Sequence, residues 1–193
     1  MNKLTFIALI GTAVFVTGCS GKGQQTENGG QTTAMQVDLL LDEADGRVDS
    51  TVTVEGLCTH ICRHGGKKIF LMGSDDTRTI RVEAGEKIGS FKQEAVNSIV
   101  EVTGVLKEQR IDETYLANWE ERLKAQTEEE HGESGGAGCT HEQKARNESA
   151  VNTAQERIDN FRHRIAERKG NEGKDYLSFY FIEADSYTLK TEE

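Results

Sequence analysis

The order of strand and helix signals narrows the fold more than any other feature. Residues 48–62 are rich in β-branched side chains and alternate in polarity, which predicts a first strand. A second strand over 67–72 follows the Gly65-Gly66 turn, and a third over 77–82 follows Gly73-Ser74-Asp75-Asp76. A short helix over 87–97, carrying Ile88, Phe91 and Val96, precedes a fourth strand over 99–106. The fifth strand, 177–187, arrives only after about seventy residues of different character. In that interval Leu116, Trp119 and Leu123 are spaced three then four. Val151, Ala154, Ile158, Phe161 and Ile165 repeat three and four twice, the stripe of one helix packing on another. The acidic, Gly-rich stretch 127–138 is expected to be the loop of this antiparallel helical hairpin. Ahead of the first strand, Val37, Leu40, Leu41 and Ala44 predict a short amphipathic helix over 34–45, capped at Thr32 or Thr33 and ended by Gly46.

Three strands, a small helix, a fourth strand and a fifth are the order of an OB-fold barrel. The expected class is therefore mainly β with a helical insertion. It is a five-stranded OB-fold barrel with an antiparallel helical hairpin between strands 4 and 5. The stretches VDLLLDEADGRVDSTVTVEGLCTHICRHGGKKIFLM, IRVEAGEKIGSF and VEVTGVLKE, closed by YLSFYFIEADSY, resemble the tRNA-anti-like OB domains of Bacteroidetes-type bacterial lipoproteins. The resemblance covers about half of the mature chain and leaves the hairpin outside. It implies an oligonucleotide-binding ancestry for the fold and no established activity.

The N-terminus points to the envelope. Lys3, an apolar run from Leu4 to Val16, and Val16-Thr17-Gly18-Cys19 resemble a secretory signal ending in a bacterial lipobox. The run is too short to span a bilayer, which takes about 20 residues. The expected layout is a signal peptide over 1–18, a tether over 19–33, and an OB core with strands 1–4 over 34–110. The hairpin then fills 111–170 and the closing strand 171–190. Cys19 would be acylated and would hold the chain on a membrane, outer membrane expected, while SGKGQQTENGGQTT acts as a flexible spacer.

Removing residues 1–18 takes only Lys3 from the charged set and leaves 33 acidic against 22 basic residues. Such an acidic chain argues against nucleic acid as a partner. Charge is uneven, however: residues 47–110 carry ten basic and nine acidic groups. Arg63, Lys67, Lys68, Arg78 and Arg81 form a local basic cluster that could hold an anionic ligand.

The distinctive chemistry is Cys58-Thr-His60-Ile-Cys62-Arg-His64, with the Cys-Thr-His triplet returning at Cys139-Thr140-His141, near His131. Cys and His are the ligands zinc prefers, and they also suit copper. Cys58, His60, Cys62, His64, Cys139 and His141 are thus the candidate ligands for a zinc or copper ion. One straight strand cannot use all of its own four. At about 3.3 Å per residue, Cys58 and His64 would lie about 20 Å apart, and Cys58 and Cys62 about 13 Å, beyond disulfide reach. A subset is feasible: Cys62 and His64 near the glycine turn, completed by Cys139 and His141 if the hairpin loop folds back over the barrel mouth. The apolar residues change face from Val52 and Val54 to Leu57 and Ile61. A bulge at Gly56 would do this, sending Leu57 and Ile61 inward and the Cys/His series outward. A disulfide from Cys58 or Cys62 to Cys139 is the alternative use of three mature thiols, with unrelated core or surface roles a third.

Among function classes, a non-enzymatic envelope binding module with a metal site leads. The alternatives are a thiol redox protein, with Arg63 or His64 lowering the pKa of Cys58 or Cys62, and an OB module binding an oligonucleotide or glycan. No phosphate loop, nucleophile elbow or catalytic carboxylate pair is identifiable.

Overall fold

The computed structural model describes residues 33–62, 65–129 and 138–190. The expected signal peptide, Cys19 and the tether up to Thr32 lie outside them, as do Arg63, His64 and His131. The strands are β1 (Met35–Gln36), β2 (Thr51–Ile61), β3 (Lys68–Met72), β4 (Thr79–Ala84), β5 (Ile99–Ile111) and β6 (Leu177–Lys190). The helices are α1 (Val37–Glu43), α2 (Glu113–Glu129), α3 (Thr140–Ala145) and α4 (Ala154–Glu172). Sheet order is β1-β2-β3-β4-β6-β5, and β5 pairs back onto β2, closing a five-stranded barrel. Four of its pairings are antiparallel and β4–β6 is parallel. This is the OB arrangement.

Two features differ from the sequence reading around these strands. The expected helix over 87–97 is a single 3-10 turn, Gln93–Ala95, because Ile88, Phe91 and Val96 pack against the barrel from an irregular segment. The first helix starts at Val37 after the two-residue strand β1, with Gln36 at its cap and no side-chain capping bond; Gly46 lies inside the 3-10 turn Ala44–Arg47.

Gly56 does not bulge. It continues the β2–β5 register, opposite Val100, and is buried in line with Val52 and Val54, so Leu57 stays only half-buried. Its small size serves close packing instead. A Cβ there would sit 2.7 Å from Cγ2 of Val37 on α1 and 2.9 Å from the Met72 carbonyl oxygen. Gly56→Ala is therefore expected to destabilise the barrel by about 1–3 kcal/mol through overpacking. Urea unfolding of both proteins measures this, and an unchanged midpoint would refute the tight fit.

The barrel interior is one core, with Val37 and Leu40 of α1 closing one end. A second core forms outside it, where Leu116 of α2 and Ile158, Phe161 and Ile165 of α4 pack against Ile111, Leu177 and Phe179. The hairpin is antiparallel: Gln155 donates to Glu120, and Arg162, two turns on, reaches back to both Glu120 and Glu113. Local signals set α4. Thr153 and Glu156 form a reciprocal capping box, and Gly173 ends the helix at φ 71°. Helix α2 runs to Glu129, into the expected loop, while Val151 precedes α4 rather than joining it.

Arg162 grips both oxygens of Glu120, at 2.7 and 3.0 Å, and holds that carboxyl down to about 2 from an ordinary 4.5. A depressed carboxyl stabilises the folded state above its unfolded pKa and loses that contribution as pH falls through the folded value. The hairpin should therefore loosen between pH about 4.5 and about 2. The emission of Trp119, the single tryptophan of the chain and the neighbour of Glu120, follows it. In Glu120→Gln the acid step should disappear; its persistence would assign the step elsewhere.

Candidate metal centre and the cleft around it

A bulge does occur in β2, three residues later than expected. Cys58 faces Leu71 and His60 faces Phe70, so Thr59 is the extra residue. This separates two side chains that an unbroken strand would place on one face. Cys58 stays in the barrel core, fully buried, and burial pushes its thiol pKa up to about 11. It is a small core side chain and not a ligand, which corrects its place in the candidate set. After the bulge Ile61 turns inward and His60 turns outward, beside Phe70 with ring centroids 6.0 Å apart.

The second triplet comes to meet it. Cys139 caps α3 and His141 lies in the first turn of that helix, which packs on β3 and β4. One potential ligand atom from each of His60, Cys139 and His141 lies within 4.8 Å of the others. This group could hold a metal ion. The imidazoles of His60 and His141 stack with centroids 4.0 Å apart and planes 4° from parallel. Imidazole donates a lone pair in its ring plane, and two offset parallel planes share no point. One ring must therefore turn about χ2 to reach a common ion, a torsion with broad freedom. Burial first, then His60 and Lys144, lower the His141 pKa and favour the neutral imidazole that a metal requires.

Cys62 lines the same cleft without belonging to the three-residue group. Among the described residues, no disulfide joins Cys58, Cys62 or Cys139.

What presses α3 onto the barrel is charge. Arg81 of β4 and Arg146, just past α3, are both nearly buried and both bind Glu142. Lys68 adds a longer contact at 3.9 Å. Burial pushes the Glu142 pKa up, but Arg81, then Arg146 and Lys68, outweigh it and the net shift is downward. The amide oxygen of Gln109 accepts from Arg81 at 3.2 Å and Arg146 at 2.7 Å. Sequence periodicity could not reveal α3. It carries almost no apolar stripe, and its buried residues are Gln143 and the neighbouring Arg146, held by hydrogen bonds.

The expected basic cluster does not converge. Lys68 and Arg81 face the cleft, but Lys67 is exposed. Arg78 is tied to Asp38 and Asp42 on α1, because it precedes β4 at the opposite end of that strand. Arg146 and Arg157, which the sequence reading missed, join the cleft from the insertion. The only signal for them was the recurrence of Arg among the apolar residues of 146–168.

The class that emerges is an OB-fold barrel whose insertion between the fourth and fifth barrel strands folds back over its β3–β4 face. No protein-family model matches the sequence, and no curated protein does. Among solved structures, an aspartyl tRNA synthetase from Entamoeba histolytica is similar at 21% identity and a TM-score of 0.31. The match covers 55% of this chain and 24% of that one, so the chain spans about a quarter of that structure's length.

Proposed function

We propose that the protein is a lipid-anchored envelope module, carried on Cys19, that captures one transition metal ion with His60, Cys139 and His141. The observation that carries this reading is the convergence of three ligand atoms within 4.8 Å from segments about eighty residues apart. One thiolate and two imidazoles suit zinc or copper and leave a fourth position for water or another ligand. The reading rests on no catalytic group and is one of binding.

Titrating the reduced, metal-stripped protein with zinc, and separately with copper, tests it. About one equivalent should bind, with proton release from the thiol. Bound metal should also shield Cys139 from alkylation, while Cys58 stays unreactive with or without metal, since the thiolate is the reactive form. Binding below about a tenth of an equivalent would end the proposal.

A further inference from the structure

The metal group occupies only one part of a cleft of about 790 Å³ between α3, α2 and the barrel. That volume lies within the usual range for small-molecule sites, roughly 300–1,000 Å³. Its walls combine two chemistries. Half-buried Tyr115 and Trp119 present flat apolar surface. Lys68, Arg81, Arg146 and Arg157 face Glu83 and Glu142, an excess of two positive charges. Glu148 behind the wall takes Arg157, which leaves one. Local charge is thus opposite to that of the chain, whose net is −10.

Arg81 carries the sharpest sign of an unfilled role. Its side chain is 8% exposed, and its Nε is buried with no hydrogen-bond partner among the described residues. The nearest carboxylate oxygen, on Glu83, is within ion-pair distance at 3.2 Å but not aligned to accept. A buried donor of this kind destabilises the fold unless an acceptor meets it. The aromatic and cationic parts are contiguous, because Gln109 touches Arg81 and Arg146 with its oxygen and donates to the Tyr115 hydroxyl at 3.3 Å. The size of the occupant is also bounded. Helix α3 lies across β3 and β4, so an extended polymer cannot run along that face.

We infer that this cleft binds one small organic acid carrying a flat ring, its carboxylate received at Arg81, Arg146 and Lys68 and its ring laid on Trp119 and Tyr115. This site does not depend on the metal. Guanidinium forks favour carboxylates, and the ring faces supply apolar contact next to them.

The full chain carrying Cys19→Ala, stripped of metal with EDTA, is the test protein, and Trp119 is the reporter. The probes are 4-nitrobenzoate, 4-nitrobenzylammonium and acetate. Nitroaromatic rings quench indole on contact. The expected result is saturable quenching by 4-nitrobenzoate, at least about tenfold weaker binding of the cation, and no displacement of 4-nitrobenzoate by an equal concentration of acetate, which lacks the ring. Lys68→Glu, at the half-exposed edge of the cleft, should weaken 4-nitrobenzoate by about tenfold while leaving circular dichroism unchanged. Equal affinity for anion and cation, non-saturable quenching by both, or indifference to Lys68→Glu would overturn the inference. A failed zinc or copper titration would leave these outcomes standing, so the two readings fail separately.

Discussion

Replacing Glu142 by alanine is expected to release α3 from the barrel and weaken metal binding by about 100-fold. The reason lies in what the substitution leaves behind. Arg81 and Arg146 are each less than a tenth exposed, and Glu142 is the carboxylate that both contact. Removing one partner of a buried ion pair typically costs about 3–5 kcal/mol, because the remaining charge is left without compensation. The chain can avoid that cost by lifting α3, which rehydrates both guanidiniums. Cys139 and His141 would then leave His60. About 3 kcal/mol of lost docking converts to roughly a 100-fold loss of affinity. Hydrogen exchange in α3 and metal titration together measure the effect. Fast exchange should be confined to α3 and its flanks, since the barrel core does not use Glu142. Retained protection with unchanged affinity would show that the clasp does not position the ligands.

The second large effect is expected at the ligands themselves. Cys139→Ser should lower zinc affinity by more than about 100-fold, because loss of an outer-shell partner alone commonly costs 10–100-fold. His60→Ala and His141→Ala should do the same. Cys58→Ala should leave affinity unchanged and slightly destabilise the barrel, as removal of one small core group does. This pattern separates the observed group from the subset suggested by spacing. Had Cys62 and His64 been the ligands contributed by the first segment, Cys62→Ala would abolish binding and His60→Ala would not. Competition against a chromophoric zinc chelator gives each value. Equal affinities across Cys139→Ser, Cys58→Ala and the parent would dismiss the centre.

Much of the barrel was legible because strands announce themselves by period. Val52, Val54, Ile80 and Val82 lie on the barrel interior where alternation places them. The hairpin was legible for a parallel reason, since Ile158, Phe161 and Ile165 keep helical spacing and are buried together. The position of the bulge was not. A side-chain period of two tells that the faces of β2 exchange between Val54 and Ile61, but any single inserted residue does this equally well. Gly56 looked suited to it by flexibility. The neighbours decided otherwise: Val37 and the Met72 carbonyl crowd Gly56, and the extra residue falls at Thr59.

The sequence by itself determined the inventory: two Cys-Thr-His triplets, an interrupted five-strand order, and a polar segment after the lipobox-like cysteine. Tertiary structure alone decided which of those groups meet. A one-residue bulge sends Cys58 inward and His60 outward, and a buried carboxylate between two arginines brings Cys139 and His141 to it. Both devices act between residues remote in the chain. Their energy depends on burial and on the charge of distant neighbours, and neither quantity is written in local spacing.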